Sequence, residues 1–288
     1  MRTWAFYALL ACFAWGTTPI AVKLLLPFMT PMAIAFHRFL IASLILAVLL
    51  ILTGRARTIR AALSGRGLIH YAVLSLLGAL AFTALFFIGV QFTTAGKASL
   101  LVSANPIITV VLAHIFLGER TNARMISWTL LGFLGVFLVL IGDLQTLLGG
   151  NFLGDLLSLG AGVSWAAFSV AGKNWTRNHE PSVSTSLVIF LGVVLMSPLN
   201  LVTSSLELPL SAYELTLLLY LGAFTAAAAY LLWIKALTLA GASSVGSFQF
   251  TVPLVTMLLD TAILGEAIDT WTVAGFLFVA ASIYQTLR

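Results

Sequence analysis

Charge is what this sequence lacks most. Only 8% of its 288 residues are Asp, Glu, Lys or Arg, against about 25% in an ordinary soluble domain. No polar stretch is long enough to build a water-soluble domain, so the chain reads as one polytopic membrane unit. Cysteine is nearly absent. The single Cys12 excludes an internal disulfide framework and any multi-cysteine metal site. Histidine is scarce and scattered. His37, His70, His114 and His179 fall in four separate regions, with no His-Glu-x-x-His spacing, which argues against a zinc hydrolase. A Gly-x-Ser-x-Gly elbow is also missing, as is a glycine-rich phosphate loop. A membrane enzyme or an ATP-driven pump therefore lacks its parts, and no cofactor or metal is expected. A channel would need a continuous polar stripe, whereas the Ser and Thr residues are scattered.

What is present is apolar. Hydrophobic residues make up 61% of the chain, and mean hydropathy is +1.10. A bilayer crossing needs about 20 such residues. Runs of that kind predict ten spans, at 4–26, 31–53, 68–91, 95–117, 125–146, 151–174, 182–204, 213–236, 243–264 and 270–287. Between them lie turn formers such as Pro27, Pro31, Gly118, Gly149-Gly150-Asn151, Pro181, Glu207 to Pro209, Gly241, and Gly265 to Asp269. The first run contains Leu9-Leu10-Ala11-Cys12, loosely like a lipoprotein cleavage box. It continues through Trp15 to about Leu26, so an uncleaved first span is expected.

The net charge of +5 sits in short loops, where it speaks for topology and not for nucleic acid. With the N-terminus inside, eleven of the 14 Lys and Arg fall on the inner side, among them Arg55, Arg57, Arg60, Arg66, Arg120, Arg124, Arg177 and Arg288. Both termini are expected in the cytoplasm, with the protein multi-pass in a bacterial inner membrane. Trp4, Trp128, Trp175, Trp271 and Tyr284 fall near span ends, where interfacial aromatics belong.

The chain is also written twice. Pro106 precedes Gly118-Glu119 by the same interval that separates Pro253 from Gly265-Glu266. Trp15 precedes Lys23 as Trp165 precedes Lys173, at an offset of 150. Trp128-Thr129-x-x-Gly132-Phe133 returns as Trp271-Thr272-x-x-Gly275-Phe276, and Leu77-Gly78-Ala79 as Leu221-Gly222-Ala223. Two five-helix halves follow, 1–147 and 148–288. Five is odd, so the second half is inverted relative to the first. The expected fold is all-α and integral to the membrane, with ten transmembrane helices in two inverted repeats. Inverted repeats with interrupted helices are how many secondary transporters build a midplane site and alternate its access.

The prolines fit this reading. Pro106 and Pro253 lack an N–H and release the carbonyls of Val102 and Gln249. In lipid such a carbonyl must find a partner or face a polar cavity. The preceding residues are small or polar: Ser99, Ser103 and Asn105 in one half, Ser243, Ser244, Ser247 and Gln249 in the other. Both prolines are expected to bend their helices, as hinges or as plain kinks. Gly118-Glu119 and Gly265-Glu266 end those helices, and the glutamates are expected to cap or to pair with a basic neighbour, with coupling-ion binding as the alternative.

Phe13-Ala14-Trp15-Gly16, Arg38-Phe39-x-x-Ala42 and the two Pro-to-Gly-Glu endings resemble the drug/metabolite transporter superfamily, EamA type. The resemblance covers the whole chain and is strongest to the YddG-type bacterial aromatic amino-acid exporters. No arginine in the seventh span answers Arg38. The resemblance implies a carrier with a central cavity walled by spans 1, 3, 4, 6, 8 and 9, exporting amino acids or similar small metabolites. Nucleosides, sugars and organic cations remain open as solutes. The implied partners are a small solute and the bilayer; a monomer and a homodimer both remain open.

Trp15 and Trp165 are related by the repeat and are read as an aromatic wall or as core packing. Phe86 and Tyr230 also correspond, with Phe82 one turn from Phe86. The substrate-binding candidates are completed by Ser99, Ser103, Ser169, Ser244 and Phe248. Arg38, beside His37, would bind a solute carboxylate, pair with Glu266 or Asp260, or cap carbonyls. His114 and Asp260 would couple protons if desolvated, or sit wet near an interface. Lys97 and Lys235 are expected to snorkel. Gly132, Gly135 and Gly275 are expected to let helices approach closely, within one chain or between chains.

Overall fold

The computed structural model describes residues 2–93, 95–141, 149–176, 179–203, 211–264 and 270–286. Glu207, Pro209, Gly265, Glu266, Asp269, Arg177 and Arg288 lie outside the described residues, as does the side chain of Asp260. Every regular element among the described residues is helical. Among the described residues, nine helices are long and apolar enough to cross a membrane. They are α1 (Thr3–Leu25), α2 (Pro31–Leu52), α3 (Gly67–Phe92), α4 (Lys97–Leu117), α5 (Ala123–Ile141), α6 (Phe152–Trp175), α7 (Pro181–Val202), α8 (Ala212–Leu239) and α9 (Ala242–Ile263). The last helix, α10 (Thr270–Thr286), has 17 described residues and rises about 26 Å at 1.5 Å per residue.

Two spans are interrupted where proline was expected to interrupt them. In α4, helix runs over Ala95–Val102 and resumes over Asn105–Leu117 with Pro106 in its first turn. The carbonyl of Val102 that Pro106 releases accepts a hydrogen bond from Asn105 Nδ2 at 3.0 Å. In α9, a 3₁₀ stretch over Ser247–Phe250 precedes the α-helix of Pro253. A third break was not read from sequence. α1 stops at Gly16 and restarts at Thr18, because Pro19 cannot donate to the Trp15 carbonyl.

α5 and α10 pack along their glycines within one chain. A Cβ built at Gly275 would meet the Gly135 carbonyl oxygen at 2.5 Å, and one at Gly135 the Gly275 oxygen at 2.8 Å. Backbone this close leaves no room for a methyl group. Gly275→Ala is expected to cost about 1–3 kcal/mol through overpacking, measured as a lower unfolding temperature in detergent. An unchanged midpoint would show that the pair can slide apart freely.

The end of the bundle that carries Arg55, Glu119 and Arg124 is tightly packed; it is called the basic end below. There Trp4 meets Phe248 edge-on at 5.7 Å, and Lys235 Nζ lies 5.8 Å from the centre of the Tyr7 ring. Trp175 stacks with His70 and with His179, at 3.8 and 4.7 Å. Arg55 pairs with Glu180 at 3.2 Å. The second segment of α4 packs on the first part of α9. Among the described residues, no comparable packing joins Ala95–Val102 of α4 to Thr251–Leu264 of α9 at the opposite end.

Candidate functional site

Where the spans meet at mid-height, aromatic rings from both halves of the chain converge. Trp15 of α1 lies edge-on to Trp165 of α6, 5.0 Å between centroids. Tyr230 of α8 is edge-on to both, at 5.8 and 5.7 Å. Phe82 of α3 reaches Trp165 at 5.2 Å and stacks on Phe86, whose ring plane is tilted from it by only 2°. Edge-on and offset contacts of this kind suit the ring quadrupoles. Trp15, Phe82 and Phe86 remain half-buried, while Trp165 is only 4% exposed.

Helix geometry supplies the polar groups. α3 widens to a π-helix over Leu76–Ala81, and α8 does so over Leu221–Ala228. Both stretches contain the repeated Leu-Gly-Ala. A π-helical turn departs from the regular i to i−4 ladder and often marks a functional site. Carbonyls within these turns accept side-chain donors from other spans. Tyr230 Oη donates to Gly78 O at 2.7 Å, and Ser164 Oγ donates to Leu77 O at 2.9 Å. Thr225 O accepts two bonds, from Trp15 Nε1 at 2.9 Å and from Arg38 Nη2 at 2.8 Å. The bilayer offers these groups no water, so each bond satisfies a donor that would otherwise be costly. Two donors among these side chains are left over: the buried Trp165 Nε1 and Arg38 Nε have no hydrogen-bond partner among the described residues.

The structure thus brings Trp15, Phe82, Phe86, Trp165 and Tyr230 together. Ser169 is adjacent, its Oγ accepting from Trp233 Nε1 at 3.3 Å. Ser99 sits on the first segment of α4 and Ser103 in the break that follows it, where the Ser103 N–H donates to the Ser99 carbonyl. Phe248 is elsewhere, buried against Trp4. Ser244 lines a cavity of about 240 Å³ at the basic end, with Arg124, Trp128, Ser243 and Gln285. Pro106 and Pro253 stand at the breaks in α4 and α9. Arg38 caps a carbonyl and lies 5.5 Å from the Phe39 ring centre. His114 is exposed, and its Nδ1 lies 3.0 Å from the Glu119 carbonyl and 3.3 Å from Thr121 Oγ1. Lys97 pairs with Asp155 at 2.7 Å.

Sequence reasoning missed Trp233, Phe168 and the Thr225 carbonyl. Trp233 lies 5.3 Å from Trp15, and Phe168 lies 5.1 Å from Trp165. Their signal was present, since Phe168 follows Trp165 by three residues and Trp233 follows Tyr230 by three, which shares a helix face. The carbonyl had no such signal.

Among known proteins, the model of the EamA-like transporter family matches residues 2–141 and 152–288. An uncharacterized transporter of Archaeoglobus fulgidus is 30% identical over 275 residues, covering 94% of this chain and 93% of that one. The uncharacterized transporter YyaM of Bacillus subtilis is 27% identical over 275 residues, covering 93% and 88%. A solved crystal structure superposes with a TM-score of 0.84 at 16% identity, covering 100% of this chain and 98% of the other, and so shares the fold.

Proposed function

The chain belongs to the EamA-like transporter family, and from that premise we propose that it exports amino acids, aromatic or apolar ones included, by alternating access. It is a multi-pass membrane protein whose family implies a small solute. The proposed architecture is ten spans in two inverted halves, 1–147 and 148–288, with both termini in the cytoplasm of a bacterial cell. Two matched stretches, one in each half, support that division. The basic end is then cytoplasmic, as the positive-inside rule requires.

The observation that carries the reading is the aromatic centre with its spare donor. Rings from α1, α3, α6 and α8 offer faces and edges to an apolar or aromatic side chain. Trp165 Nε1 is buried without a partner among the described residues, and a solute carboxylate or carbonyl oxygen would accept from it. The likeness to YddG-type aromatic exporters belongs to the same proposal. The interrupted α4 and α9 supply the moving parts, with Pro106 and Pro253 as hinges.

Binding tests this directly. Trp15, Trp165 and Trp233 lie within about 6 Å of one another, so a bound aromatic amino acid should change their fluorescence. Saturable quenching by phenylalanine or tyrosine, lost in Trp165→Phe, is the expected result. Quenching by nucleosides or organic cations and not by amino acids would reassign the solute.

A further inference from the structure

We propose that the Glu119 carboxylate is the latch of the basic end, and that its release from the start of α9 is required for that end to open. The inference rests on the alternating-access reading and adds to it a gating residue outside the aromatic centre.

The geometry is specific. Gly118 ends α4 in the left-handed conformation at φ 63, and the Glu119 N–H turns back to the Ala113 carbonyl at 3.2 Å. His114 and Thr121 hold the same turn through the Glu119 carbonyl and the His114 ring. The side chain is thereby aimed across the repeat boundary. Its Oε1 accepts from the Ala242 N–H at 2.6 Å and its Oε2 from the Ser243 N–H at 3.2 Å. First-turn N–H groups have no partner within their own helix, and a carboxylate there forms charge-assisted bonds. Gly241 lets the two approach: a Cβ on it would meet the carboxylate atoms at 2.9 to 3.0 Å. Beneath this bond, Gly246 of α9 packs on Thr109 of α4, where a Cβ would meet the Thr109 methyl at 3.2 Å.

The reason to read a latch and not a static cap is asymmetry. The second segment of α4 and the first part of α9 are in contact at the basic end, whereas their repeat counterparts are not so packed at the other end among the described residues. If access alternates, the contact made at one end is the one that must break. Glu119 is a charged group that bonds across it.

The test uses the full chain in oriented vesicles, with Cys12→Ala as background and one reporter cysteine at a time. Thr109→Cys reports the basic end; Thr109 is only 1% exposed in the closed structure. Ser99→Cys reports the opposite half of α4. Adding Glu119→Gln should raise maleimide labelling of Thr109→Cys from the basic end about tenfold and lower labelling of Ser99→Cys from the opposite face, as a population shift demands. Gly241→Ala leaves Glu119 in place but crowds its carboxylate, and should give the same reciprocal change. Glu119→Asp, shorter by one methylene, should fall between. Unchanged rates in both Glu119→Gln and Gly241→Ala overturn the latch. A rise at Thr109→Cys with no fall at Ser99→Cys also overturns it, because mere loosening would do that. If amino-acid flux is absent but the reciprocal shift is present, the solute assignment fails and the latch stands.

Discussion

Trp165→Ala should reduce saturable flux about tenfold or more while the protein still inserts. The ring touches Trp15, Phe82, Phe168, Tyr230 and Trp233 at centroid distances of 5.0 to 6.1 Å. An aromatic pair contributes about 0.5–1.5 kcal/mol beyond area burial, and about 1.4 kcal/mol is a factor of ten. A solute held by even one or two such contacts therefore loses most of its affinity. Trp165→Phe separates the two roles of the residue: it keeps a ring and deletes the Nε1 donor. If the donor binds a solute oxygen, the Phe variant loses affinity for amino acids while keeping its fold. Flux equal to the parent protein in reconstituted Trp165→Ala would remove the aromatic centre from the transport path.

Pro106→Ala should slow exchange between the two faces about tenfold. Alanine restores an N–H that can reach the Val102 carbonyl, the group now capped by Asn105 Nδ2. The two segments of α4 then gain a continuous ladder, and proline in a helix interior costs about 3 kcal/mol relative to alanine. Straightening α4 would stiffen the joint between its first segment and the segment packed against α9. Static binding should persist, because Pro106 bears no group that the rings use. Equal flux with equal cysteine accessibility on both faces would leave the break as a structural kink.

Much of this arrangement is legible in the sequence. The repeated Pro-to-Gly-Glu interval foretold the interruptions in α4 and α9, and the freed Val102 carbonyl did find a polar partner. Trp15, Phe82, Trp165 and Tyr230 meet because each lies on the inner face of an α-helical segment, where sequence spacing within the segment maps to direction. The failures occur where winding departs from that rule. Phe248 sits in the 3₁₀ stretch of α9, which turns about 120° per residue against about 100° in an α-helix. By Phe248, the second residue of the stretch, the face has swung by about 40°, and Phe248 packs against Trp4. The π-helical turns of α3 and α8 were invisible, because an extra residue in a turn leaves no mark on an apolar run. Glu119 was foreseen as a cap, but its partner, the start of α9, is 123 residues away in sequence.

The central claim, a carrier that exports amino acids by alternating access, is tested most directly by counterflow. Proteoliposomes are preloaded with one unlabelled amino acid, labelled amino acid is supplied outside, and uptake is followed with and without a pH gradient. Saturable uptake of the label, accelerated by the preloaded amino acid, is the predicted result. Non-saturable flux indifferent to the preload, or none for any amino acid, would contradict the account.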